Sequence, residues 1–341
     1  MIASATAPAA RTQGRPTALT LPGPYRAVLR QHRTALWITL GLMVLAIAFL
    51  VTNQLVISHE ADAFRATGCT IGVDITPDCY TTVREYLDSD SSFRRYIDYS
   101  GVAILALPCL IGLFVAGPMI GRDMETGTYK LAWTQSVSPV RWLTVRFALC
   151  ATVVVGCGTL LAAGQRLAWR AGPDLNGPQT SWFERAIYGS VGPVAVAYAL
   201  LGLAVGTLAA VVLRRTLPAM AAALAVTAGA VIALPLLRGR LWATETVTSS
   251  GEYAQGPPGN GFGVEQGMLT ADGQRLPQSV CSNYAGQFRQ CLDKHQVTGW
   301  YNDFHPSSHF WPLQFVETGI VLALAAAATY AAFRVLRRRT A

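Results

Sequence analysis

The chain has 341 residues with 27 Lys and Arg against 19 Asp and Glu, so only 13% of it is charged, about half of the roughly 25% usual in soluble domains. With 52% hydrophobic residues and a mean hydropathy of +0.33, gathered into long Ala, Val, Leu and Gly blocks, the composition excludes an ordinary soluble enzyme, a disordered chain and a collagen-like repeat. The net charge of +8 does not mark a nucleic-acid binder. Lysine occurs only at Lys130 and Lys294, and the arginines are scattered in ones to threes, where a phosphate track needs a dense patch.

A hydrocarbon core about 30 Å thick needs about 20 apolar residues of helix, and taking the chain in order sets out where they lie. Residues 1–33 form a cytoplasmic tail, rich in Pro, Ala and Thr at first. From Pro24 it takes a helical pattern, with Tyr25, Val28 and Leu29 on one face and Arg26, Arg30 and Arg33 on another. This spacing suits either a helix lying on the inner leaflet or a plain basic flank to the first span.

The first apolar block, 34–57, is too long and starts too late for a cleaved signal, and reads as a retained anchor. Further spans follow at 99–120, 143–164, 186–213, 217–237 and 312–333. Arg214, Arg215 and Thr216 make a tight hairpin between the fourth and fifth. Inside the six spans only Arg146 and Glu317 are charged. Each stands about one turn from a span end, where a long side chain can snorkel to the headgroups.

The fold class is therefore an all-α integral membrane protein with six transmembrane helices and a long external loop before the last. Residues 34–341 form one six-span domain, with external loops 58–98, 165–185 and 238–311 and an inner segment 121–142. Fifteen of the 27 Lys and Arg residues, but only Asp123 and Glu125 among the carboxylates, fall on the side of the N-terminus. The positive-inside rule places both termini in the cytoplasm and the chain in the plasma membrane. Trp37, Trp142, Trp169, Trp182, Trp242 and Trp311 lie near span ends, as an interfacial aromatic belt predicts.

Cys109, Cys150 and Cys157 fall within spans, whereas Cys69, Cys79, Cys281 and Cys291 fall outside, where disulfides persist. Four cysteines allow three pairings. Short loops favour Cys69 with Cys79 and Cys281 with Cys291, and four unpaired thiols is the other reading. The loop 238–311 has a Gly- and Pro-rich middle and ends in an aromatic run that reads as a cap on the membrane surface. Within it His305 and His309, with Asp303 nearby, are four apart, but the intervening Pro306 and the lack of a further close ligand make them solvated loop histidines. No metal site is expected.

The sequence has no G-x-x-x-x-G-K-[ST] loop, no H-E-x-x-H and no G-x-S-x-G, so the usual nucleotide, zinc-hydrolase and serine-hydrolase signals are missing. No ionisable group sits near a span centre, as an ion-coupled carrier would require. The inner segment 121–142 stands out instead. It reads as a helix ending near Gly127, a compact turn, a second amphipathic piece, and a Ser138 N-cap with Pro139 at the first helical position. A mixed-charge, Trp-bearing segment held between two spans suits docking of a protein partner.

Glu125-Thr126-Gly127-Thr128 after the second span, continuing into Trp133-Thr134-Gln135-Ser136-Val137-Ser138 and Arg141-Trp142, resembles the coupling segment of ATP-binding-cassette permeases of the type-2 superfamily, particularly the actinobacterial ones. The resemblance implies a permease subunit of an exporter, moving a hydrophobic or amphipathic substrate. It implies no catalysis and no cofactor in this chain: a separate ATP-binding subunit holds ATP and Mg and docks beneath the segment. Glu125, Gly127 and Thr128 would shape the coupling turn, and Arg122, Asp123 and Trp133 would meet the ATPase. It also implies that two six-span subunits associate, as a homo- or heterodimer. Small-residue spacings, Gly202 with Gly206 and Gly117 with Gly121, permit close helix approach either between subunits or within one. The competing reading is a non-transporting membrane scaffold or sensor that works through its external loops.

Overall fold

The computed structural model describes Arg30 and residues 33–72, 75–129, 138–170, 180–251, 254–282 and 288–340. Most of the tail and Trp133, with the roles expected of them, lie outside the described residues. The chain is mostly helical, and six helices are long and apolar enough to cross a membrane. They are α1 (Arg33–Ala66), α2 (Tyr80–Leu110) running through a π-helical stretch (Ile111–Ala116) into α3 (Gly117–Thr126), α4 (Pro139–Arg170), α6 (Pro193–Leu213), α7 (Thr216–Ala233) and α10 (Phe310–Thr340). The short α5 (Arg185–Tyr188) precedes α6.

Among these helices α6 alone is largely buried; the second span, α4, α7 and α10 pack on it, and α1 packs on α2 and α4. Two glycines explain the closest approach. A Cβ at Gly202 would stand 2.0 Å from the Pro108 carbonyl oxygen, and one at Gly206 would stand 2.8 Å from that of Gly112. The π-helical stretch begins three residues after Pro108, which cannot donate its own helical hydrogen bond. Gly117 and Gly121 likewise sit against Met220 and Thr216 of α7. Both glycine pairs therefore pack within the chain.

Three features depart from the sequence expectation. First, α1 and α2 do not stop at the membrane boundary. They extend as a helical hairpin in which Ala61 and Phe64 meet Val83 and Tyr86, closed at its tip by the Cys69–Cys79 disulfide. Second, the fourth span is broken. The backbone leaves the helix between Tyr188 and Pro193, and α6 begins at a proline suited to its first turn. Gln314 of α10 fills the break: its Oε1 accepts from the Val194 N–H at 3.4 Å and its Nε2 donates to the Tyr188 carbonyl at 2.7 Å. A side chain at Gly192 would overlap that amide.

Third, residues 245–305 hold a four-stranded antiparallel sheet, not a surface-lying aromatic run. Strands β1 (Glu245–Ser249), β2 (Phe262–Thr270), β3 (Arg275–Pro277) and β4 (Val297–His305) lie in the order β1-β4-β2-β3. Trp300 and Met268 pack on the Cys281–Cys291 disulfide, which joins α8 (Ser279–Ser282) to α9 (Phe288–Lys294). The sheet is seated on the bundle by Phe262, which joins Trp182, Phe183 and Phe310 in an aromatic cluster. Trp182 and Trp142 are accordingly buried, whereas Trp37, Trp242 and Trp311 are exposed as an interfacial belt requires.

Beneath the sheet, Glu317 does not snorkel. It is buried and receives Arg238 through Nε at 3.0 Å and Nη2 at 3.3 Å, with the Tyr198 hydroxyl donating at 2.9 Å. The Arg238 guanidinium also lies 3.5 Å from the centroid of the Tyr188 ring. One carboxylate thus fastens the end of α7, α6 and α10 together. Removing one partner of such a pair leaves an uncompensated buried charge. Arg238→Met is expected to lower stability in detergent by about 3–5 kcal/mol, with Arg238→Met/Glu317→Leu recovering most of the loss in thermal unfolding.

Candidate functional site

The candidate site is the end of the bundle carrying the segment 121–129, where α3, the start of α4, the α6–α7 hairpin and the end of α10 converge. Helix α3 ends at Gly127, whose φ of 73° is left-handed and therefore favours glycine over residues with a Cβ. Thr126 returns its hydroxyl to the Arg122 carbonyl at 2.8 Å and lies 3.2 Å from the Thr128 hydroxyl. These contacts make a tight, polar helix end.

Glu125 gives that end its partner. Its Oε2 accepts from the Thr216 backbone N–H at 3.0 Å and from the Thr216 hydroxyl at 2.7 Å. The amides in the first turn of a helix lack intrahelical acceptors. Arg215, at the cap position of α7, supplies no side-chain acceptor. The carboxylate of α3 takes that place from across the chain, where the positive end of the α7 dipole also favours it. The two hydrogen bonds from Thr216, helped by the nearby Arg215 charge, hold the Glu125 carboxyl below its ordinary range.

Asp123 turns the other way. It forms an ion pair with Arg146 of α4. Arg146 also donates to the Met119 carbonyl at 3.0 Å and lies 4.7 Å from the centroid of the Trp142 ring. The expected snorkelling of Arg146 is replaced by this clamp between α3 and α4. Ile120 and Met124 pack inward with Trp142, Leu143, Val211 and Leu336. Arg339 of α10 donates to the Val211 and Val212 carbonyls at 2.9 and 3.1 Å, closing the end of α6.

The sequence-derived residues thus divide into two groups. Glu125 and Asp123 are bonded to the chain's own helices, Gly127 forms the left-handed turn, and Arg122 and Thr128, exposed like Glu125, are bonded to no other helix among the described residues. Asp123 is an internal ion-pair member. Thr216, Arg146, Gly121 and Arg339 also belong to the site. Gly121 had its spacing from Gly117 and Arg146 its place as a charge within a span, and Thr216 is a helix-start residue type after Arg214-Arg215.

On the opposite side, His305 is not solvated. It is buried on β4, with Nδ1 3.2 Å from His309 Nδ1 and Nε2 3.2 Å from the Gly239 carbonyl oxygen. Asp303 instead binds Arg275 at 2.8 Å. Among the described residues no three His, Cys, Asp or Glu side chains are placed to hold a metal.

A bundle of six candidate spans with one buried central helix defines a multi-pass membrane protein. The family model described as ABC-2 membrane transporter related matches residues 40–238, from α1 to the end of the fifth span and more than half of the chain. The chain belongs to that family and is a membrane permease component of an ABC transporter. No curated protein and no solved structure matches it.

Two predictions follow from these contacts. Glu125→Ala and Thr216→Ala should each lower the melting temperature, and the double variant should lose no more than Glu125→Ala alone, because Glu125→Ala removes both bonds, including the hydroxyl bond that Thr216→Ala removes; additive losses would separate the two residues. Burial pushes the His305 imidazole below its ordinary pKa of about 6.5. The unfolded chain then binds the extra proton first, so stability is complete above that value and declines as pH falls through it. Thermal unfolding from pH 7.5 to 5 should show this decline, and His305→Gln should flatten it.

Proposed function

We propose that this chain is the permease subunit of an exporter that moves a hydrophobic or amphipathic substrate across the plasma membrane. The joint between Glu125 and Thr216 carries the reading. A push on α3 is delivered through the Glu125 carboxylate to the first turn of α7, and through the α6–α7 hairpin to the buried helix on which the bundle is built. A flexible connector would dissipate such a push.

A separate ATPase, holding ATP and Mg, docks beneath the segment 121–142 in this proposal. Arg122 and Thr128 are its contacts in the described part, because both are exposed and, unlike the equally exposed Glu125, neither is bonded to another helix among the described residues. Two six-span subunits enclose the path, and ATP-driven closure of two ATPases tilts the joined helices to open it outward. The basic end of the bundle and both termini face the cytoplasm, which puts the sheet and both disulfides on the oxidising side.

The test is co-purification. Tagged full-length chain extracted from its native membranes should bring down a phosphate-loop ATPase and ATP hydrolysis. Arg122→Glu, or deletion of residues 125–128, should abolish both while membrane insertion persists. Undiminished ATP hydrolysis with either variant, or labelling of Thr128→Cys by an impermeant maleimide in intact cells, would contradict the assignment.

A further inference from the structure

Helices α4 and α10 each pack closely on α6 but far less on one another, which leaves an open groove of about 540 Å³ between them with α6 as its floor. Phe147, Ala151 and Val155 line one wall, Leu322 and Ala326 the other, and Leu200 the floor. Two threonines also border it, with their protons already used: the Thr152 hydroxyl is donated to the Ala148 carbonyl at 2.9 Å and that of Thr329 to Ala325 at 2.8 Å. The lining is mostly hydrocarbon.

The groove is not apolar to its end. Helical spacing carries the stripe Leu322, Ala326, Thr329 onward through Phe333 to Arg337. On α4 the wall residues continue back through Thr144 to Arg141. Both arginines lie at the same end of the bundle, since Trp142 and Leu336, their immediate neighbours, belong to one hydrophobic cluster. Both are exposed. From Leu322 to Arg337 the helix rises about 22 Å, at about 1.5 Å per residue. That covers one leaflet's hydrocarbon, about 15 Å, together with its headgroup layer.

From this juxtaposition we infer that the groove between α4 and α10 binds an anionic phospholipid, its acyl chain against Phe147, Leu200 and Ala326 and its phosphate at Arg141 and Arg337. An acyl chain fits a mostly apolar surface whose hydroxyl protons are already used, and two guanidinium groups at its end select a negative headgroup at the depth where headgroups lie. Arg141 lies within the segment 121–142, so the site is tested on the purified chain alone, where lipid retention is read without the ATPase.

Native mass spectrometry of the full chain, purified in detergent and titrated with dioleoyl phosphatidylglycerol or dioleoyl phosphatidylcholine, tests it. The unmodified chain should retain one phosphatidylglycerol about twenty-five-fold more tightly than phosphatidylcholine, the product of about fivefold for each arginine. Arg141→Gln/Arg337→Gln should erase the preference while weak binding of both lipids remains. Ala326→Phe, which fills the groove from an exposed position, should abolish the retained lipid with the melting temperature held. Equal affinity for the two lipids, or lipid retention unchanged by Ala326→Phe, would overturn the proposal. A change in oligomeric state with Ala326→Phe while lipid retention persists would assign the groove to a second copy of the chain and overturn it equally.

Discussion

Every backbone N–H and C=O within a bilayer needs an internal partner, and α6 meets this demand under the hardest conditions because it is both the buried centre of the bundle and a short helix interrupted at its start. Helix α10 answers at both ends. Gln314 bridges the break between Tyr188 and Val194, and Arg339, near the other end of the same helix, donates to the Val211 and Val212 carbonyls. Between them Glu317 gathers Arg238 and Tyr198. One helix thus supplies the polar groups that let a chain of Ala, Val, Gly and Leu sit in the middle of the protein. The glycines of α6 then admit the backbone of the second span at Pro108 and Gly112.

With the centre fixed in this way, the motif region acquires a mechanical meaning. The Glu of E-T-G-T is a helix cap supplied in trans, the Gly turns the chain out of α3, and the neighbouring Asp is tied to Arg146 of the next helix. The two carboxylates of the inner segment therefore act on the chain itself, while Arg122 and Thr128 are exposed. The bundle presents a rigid handle at one end and a disulfide-pinned sheet at the other.

The six spans and their order were legible because hydropathy over about 20 residues is the strongest signal a membrane chain carries. What escaped was whatever depends on two distant residues meeting. Glu125 and Thr216 are 91 positions apart, and no local pattern links them. Arg238 reads as the first residue of a loop because a charge ends a hydropathy window; its burial follows only from the presence of Glu317 opposite. Strand β4 was hidden for a different reason. Trp300, Asn302 and Phe304 alternate with Tyr301, Asp303 and His305, and both sets are buried, so the polar–apolar alternation that announces a strand never develops. The helical extensions of α1 and α2 lay below the hydropathy signal, although Val83, Tyr86, Asp90, Phe93 and Ile97 keep a three-to-four spacing on the buried face.

Hydrogen–deuterium exchange of the full chain in lipid nanodiscs, with the unmodified protein beside Gln314→Leu, reads the central constraint directly. If α10 holds the broken start of α6, the variant should exchange faster across residues 188–195 while residues 200–210 stay protected. Unchanged protection across 188–195 in the variant would show that the break is satisfied without Gln314, and would contradict the account.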